Sequence, residues 1–143
     1  MAVMSPRDSA APRPGPTELR LLVELPALRK LADRGLSDEE LAVSRQLARA
    51  TVRSARSGDA LGYRQADSSF HLYLLKLTSE RAFSEVAGLL LTPGIEHRPV
   101  SEERGHRMVA EASEHGEIVD LLADDMVSAA ADLLRHHVSR HGA

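Results

Sequence analysis

From Thr17 onward the apolar residues recur at spacings of three and four, and no stretch alternates apolar with polar residues as a half-buried strand does. That pattern restricts the chain to an all-α fold. Leu21, Leu22, Leu25, Leu28 and Leu31 define a first amphipathic helix that Gly35 ends, with Pro26 expected to kink it. Ser37 caps a second helix, and Asp38, Glu39 and Glu40 stand at its positive N-terminal end. Ser57-Gly58-Asp59 closes that helix and opens a third, running to about Thr78. A shorter helix is predicted from about Arg81 to Leu91, then a break at Thr92-Pro93-Gly94 and loop to about Ser101. Two more segments follow, about 101–123 with an interruption expected near Gly105, and about 126–141, separated by Ala123-Asp124-Asp125. The expected architecture is an antiparallel bundle of six or seven helices over residues 17–141.

Composition agrees with that pattern. There are 21 Leu and 20 Ala against two Ile, and aromatic residues make up 3% of the chain. Ala and Leu lose little side-chain freedom in a helix. Pro6, Pro12, Pro14 and Pro16 crowd residues 1–16 among Ala, Ser, Gly and Arg, which reads as a disordered tail. At 143 residues one domain is expected. The formal charge of −3 gives no general attraction for nucleic acid or anionic membrane. No apolar run approaches the roughly 20 residues that span a bilayer, and the N-terminus lacks an apolar signal core. The expectation is a soluble cytoplasmic protein. The absence of cysteine excludes disulfides, thiolate metal sites and thiol nucleophiles, so any metal must be held by His, Asp or Glu.

The informative residues are titratable ones that share a face with an apolar stripe. On the third helix Asp67 and His71 are i,i+4 neighbours on the face of Phe70 and Leu74. A carboxylate there costs several kcal/mol unless it is paired or bound to a cation. His115 precedes Ile118, Val119 and Leu122 on the apolar face of the next long helix. In the last helix His137 shares a stripe with Ala130, Leu133 and Leu134, whereas His136 lines up with Asp132 and Arg140. His137 is therefore expected inward and His136 outward. His141 lies near the frayed end, and His97 and His106 lie near loops. Three helices thus aim imidazole at one core, and one of them adds a carboxylate. From pattern alone this is either a divalent metal site for Zn, Ni, Mn or Fe, or a buried ion pair with hydrogen-bonded histidines.

Other features carry less. Arg45, Arg49 and Arg53 form an i,i+4 stripe, with Arg56 close by; such a row is either a phosphate-binding face or a solvated one. Residues 101–125 hold eight acids against two arginines, an acidic surface that can meet the Arg stripe within the fold or across a dimer. There is no phosphate-cradling glycine loop, no G-x-S-x-G elbow and no H-E-x-x-H motif.

Four stretches carry a family resemblance: ELRLLVELPALRKLAD, GDALGYRQADSSFHLYLLKLTSE with its D-x-x-F-H, SEHGEIVDLL, and AAADLLRHHV. In order and spacing, from about Leu19 to Val138, they resemble the FCD domain, the C-terminal effector-binding domain of GntR-family transcriptional regulators. The 22-residue separation of His115 and His137 matches the family's two late histidines. The resemblance implies an all-helical, commonly dimeric bundle whose central cavity holds a divalent metal and binds a small organic acid. Carried over, the metal ligands are Asp67, His71, His115 and His137, and ligand contacts are expected from Tyr63, Glu80 and Arg20. Where the family has S-G-N, this chain has Thr78-Ser79-Glu80, which puts the usual effector preference in doubt. The winged helix-turn-helix that usually precedes the domain is not in this sequence, so the chain is not expected to bind DNA alone. Three readings follow: a metal-dependent organic-acid sensor acting in transcriptional control through a partner, a metal-dependent enzyme on the same fold, or a dimerisation module for full-length regulators. In the enzyme reading Tyr63 or Glu80 supplies the acid or base.

Overall fold

A computed structural model describes residues 15–78, 80–90 and 100–141. Among these the chain forms six helices and no strand: α1 (Pro16–Arg34), α2 (Asp38–Arg56), α3 (Ala60–Thr78), α4 (Glu80–Leu90), α5 (Glu102–Ala123) and α6 (Val127–His141). Residues 1–14 of the tail expected over 1–16, and the expected break and loop over 92–99, lie outside the described residues, while Pro16 opens α1 instead of ending the tail.

The turns follow from local chemistry. Gly35, at φ 78°, ends α1 by donating its N–H to the Leu31 carbonyl. Two residues later Ser37 and Glu40 form a reciprocal capping box: the Glu40 N–H donates to Ser37 Oγ, and the Ser37 N–H donates to Glu40 Oε1. The guanidinium of Arg34 donates twice to the same Glu40 carboxylate, at 2.8 and 3.2 Å, tying the end of α1 to the start of α2. Asp59 Oδ1 accepts from the Gly62 N–H at the start of α3. Asp125 turns the chain into α6 at φ 59°, a left-handed conformation that Asp tolerates better than most residues.

One local expectation differs from the structure. Helix α5 runs unbroken through Gly105, because Ser101 caps it by accepting from the Arg104 N–H and Val100 packs beside the glycine. Helix α1 starts at Pro16 and continues through Pro26. The proline falls on the helix's exposed side, where the Leu22 carbonyl that loses its partner can be met by water.

The bundle buries four adjoining apolar clusters. Helices α1, α5 and α6 share Leu28, Leu31, Ile118, Leu122, Leu134 and Val138. Helices α1, α3 and α4 share Ala27, Leu72, Leu75 and Val86. Helices α2, α3 and α5 share Ala55, Tyr63, Met108 and Ala112, and next to them Ala48, Phe70 and Val119. Between these clusters lies a polar centre. The Arg stripe of α2 meets the acidic α5 at the half-buried Arg45 and the exposed Asp120, 3.5 Å apart, a pair worth little. No helix among the described residues is long and apolar enough to cross a membrane.

Candidate metal centre

Asp67, His71, His115 and His137 are all buried and meet at one point, with one donor atom from each lying within 4.8 Å of the others. Asp67 and His71 come from α3, one turn apart; His115 comes from α5 and His137 from α6. Asp67 Oδ1 is the hub, 2.7 Å from His115 Nε2, 3.3 Å from His71 Nε2 and 3.5 Å from His137 Nε2. The Nε2 atoms of His71 and His137 are 3.3 Å apart. Phe70 backs the site, its ring 4.6 Å from His115 and edge-on to His71 at 5.4 Å.

The far nitrogen of each ring decides what the near one can do. His71 Nδ1 lies 2.6 Å from Glu24 Oε1, and His137 Nδ1 lies 3.1 Å from Glu114 Oε1. His115 Nδ1 lies 3.0 Å from the Ala112 carbonyl and 2.9 Å from Thr51 Oγ1, whose own proton goes to the Ala48 carbonyl at 2.6 Å. Carboxylates and carbonyls only accept, so all three Nδ1 atoms are donors and carry protons. A ring that is neutral then turns its Nε2 lone pair toward Asp67. Lone pairs and a carboxylate at these separations repel unless positive charge sits among them.

Charge balance in the cluster points the same way. Burial works against the Asp67 carboxylate, but the surrounding imidazoles overcome it and hold the group well below its ordinary range. Burial also works against a charged His71, yet Glu24 and Asp67 raise it to about 9. For His115 burial prevails over Asp67, and the ring is pushed down to about 4 and stays neutral. His137 is raised against its burial by Asp67 and Glu114. Glu24, despite burial, is lowered to about 2 by His71 and Arg20. One proton on His71 answers part of the demand for positive charge; a cation answers all of it.

A divalent ion fits these donors. Two imidazole nitrogens at about 2.1 Å from one ion are about 3.0 Å apart at a right angle and about 3.4 Å apart at the tetrahedral angle. The observed 3.3 Å between His71 and His137 falls in that span. Metal-ligating histidines also characteristically donate the other ring N–H to a carboxylate or carbonyl, as all three do here. The group could hold a metal ion.

The remaining site expectations fall in different places. His136 is exposed, as is His106. Tyr63 is buried one turn before Asp67, against Ala55, Met108 and Ala112. Burial, followed by the charges of Asp67, Glu111 and Glu114, raises its phenol above the ordinary value. Arg20 is buried and, among the described residues, reaches the cluster through Glu24: its Nε donates to Glu24 Oε2 at 2.8 Å, and its Nη2 has no hydrogen-bond partner among those residues. Glu80 is the first residue of α4, and its side chain lies outside the described residues. Sequence reasoning missed Glu24, Thr51 and Glu114. The signal was available: Glu24 shares a stripe with Leu28 and Leu31, and Thr51 shares one with Ala48 and Ala55. The same face test marks Glu24 and Thr51, but only the fold shows which ring nitrogen each one meets.

A family model for the FCD domain matches residues 17–140. No curated protein and no solved structure is similar enough to match the chain.

Proposed function

The chain belongs to the FCD domain family, the C-terminal domain of GntR-type regulators, and from that premise we propose a metal-dependent sensing domain for a small organic acid. Its output is transcriptional control exerted through a partner, with the domain working as a homodimer. The observation that carries the reading is the convergence of three Nε2 atoms on Asp67 while every Nδ1 is engaged as a donor.

In this reading Asp67, His71, His115 and His137 hold a Zn, Ni, Mn or Fe(II) ion. Bound there, the ion supplies Lewis acidity and an open position for a ligand carboxylate. The chain's own residues do the rest. Asp67 offsets part of the ion's charge, and the Nδ1 contacts fix the three ring orientations. Arg20, with a buried nitrogen that has no acceptor among the described residues, is suited to a carboxylate oxygen. Tyr63 adds a phenol that stays protonated through the physiological range and can donate. Glu80 is the third ligand contact proposed. Since α1, α3, α5 and α6 all supply either a metal donor or its anchor, ligand binding can favour one packing of the helices over another.

The test is elemental analysis of purified protein, then thermal stability with and without chelator and with a panel of di- and tricarboxylic acids. Bound metal, a melting temperature lowered by chelator and raised by one acid, and no loss of that acid support the sensor. A metal-free protein indifferent to chelator refutes the site. Consumption of the acid that disappears in His115→Ala replaces the sensor with a catalyst.

A further inference from the structure

Resting on the metal reading above, we propose that Glu24 is a positioning residue for the centre, so that α1 governs metal affinity without contributing a ligand. The four donors come from α3, α5 and α6 alone. Yet the shortest contact to any of the far ring nitrogens comes from α1, Glu24 Oε1 to His71 Nδ1 at 2.6 Å. The corresponding contacts of His137 and His115 are 3.1 Å to Glu114 and 2.9 Å to Thr51.

The three anchors also differ in kind. Thr51 and the Ala112 carbonyl are neutral acceptors, and a neutral acceptor polarises an N–H less than a carboxylate does. Glu114 is a carboxylate, but its side chain is 10% exposed and is shared with Arg140 and His136 near the surface, each 3.8 Å away. Glu24 is 4% exposed, and its second oxygen is clamped by Arg20 Nε from one turn earlier on the same helix. With one oxygen clamped, the other is held on His71. A fixed carboxylate on Nδ1–H builds negative charge into the ring and makes Nε2 a stronger metal donor. Displacing α1 from α3 therefore weakens His71 without touching any ligand. The expected order of importance is Glu24, then Glu114, then Thr51.

The experiment titrates the full chain, stripped of metal, with Co(II) and follows the visible absorption band in wild type, Glu24→Gln, Glu114→Gln and Thr51→Val. Expected are a loss in Co(II) affinity of about 10–100-fold for Glu24→Gln with a shifted band, and smaller losses for the other two. Circular dichroism checks that each variant remains helical. Wild-type affinity and band in a folded Glu24→Gln overturn this proposal and leave the metal reading standing. If wild-type protein takes up no Co(II), the metal reading and this proposal both fall. Should Glu24→Gln not fold, Arg20→Gln carries the test, because it leaves Glu24 charged but unclamped. A several-fold loss of affinity there supports the proposal, and wild-type affinity overturns it.

Discussion

Replacing Phe70 with Ala separates the packing of the bundle from the orientation of its histidines. Phe70 is fully buried between Asp67 and His71 on α3, packed on Ala48 of α2 and Val119 of α5, with its ring against His115 and His71. Truncation to Ala removes six carbons. The buried apolar neighbours, Ala48 and Val119, are short side chains on helices and reach little into the void. Phe→Ala in such cores costs about 3–5 kcal/mol, and the upper half of that range is expected here. With a melting shift of roughly 3–4 °C per kcal/mol for a domain of this size, the midpoint falls by roughly 12–20 °C. The same change removes the backing of two of the three rings, so metal affinity falls in the protein that is still folded. The control is Leu122→Ala, two turns along α5 from His115 in the α1–α5–α6 core, with an expected cost of about 2–5 kcal/mol. Unfolding in denaturant gives stability, and metal titration at low temperature gives affinity. A Phe70→Ala cost under about 1 kcal/mol contradicts the packing argument. Equal affinity losses in Phe70→Ala and Leu122→Ala mean that the ring gives the histidines no special support.

Further outcomes are expected. His137→Ala abolishes stoichiometric metal binding in isothermal titration, whereas His106→Ala, on the exposed start of α5, leaves it unchanged. In chelator the stability of the protein peaks near pH 6.5. His71 is raised from 6.5 to about 9, so its stabilisation is complete below 6.5 and is lost as pH rises through 9. His115 is lowered from 6.5 to about 4, so its contribution is present above 6.5 and is lost as pH falls through 4. Each amounts to about 3 kcal/mol, and denaturation midpoints that stay flat from pH 4 to 9 refute both assignments. Ser37→Ala, which breaks the capping box joining α1 to α2, costs about 0.5–2 kcal/mol by denaturant unfolding while metal affinity is unchanged.

Much of the candidate site was legible because helices convert sequence spacing into facing direction. Asp67 and His71 one turn apart, His115 before Ile118 and Val119, and His137 rather than His136 all follow from which residues share an apolar stripe. The structure buries those four side chains and leaves His136 exposed. Local rules did less well where tertiary surroundings decide the outcome. Gly105 carries a helical penalty of about 1 kcal/mol against Ala, but a cap at Ser101 and twenty-two residues of continuous helix outweigh it. The anchors Glu24, Thr51 and Glu114 escaped notice because an acid or a hydroxyl on a mixed stripe is ordinary until its partner is known. Their partners are distant in the chain, forty-seven residues from Glu24 to His71 and sixty-four from Thr51 to His115.

By itself, the order of residues determined the helical class, the helix ends and the inward-facing donors, because each depends on neighbours within about two turns. It also determined that any metal here rests on nitrogen and oxygen, because there is no thiol to offer. Only the tertiary structure decided that the four donors meet at one point, and which nitrogen of each ring faces that point. Ring orientation depends on what the other nitrogen touches, and apart from the Ala112 carbonyl on His115's own helix, those contacts exist only once α1, α2 and α5 pack around α3 and α6. A histidine's place on a helix is local, whereas its donor atom is chosen by a partner from elsewhere in the chain.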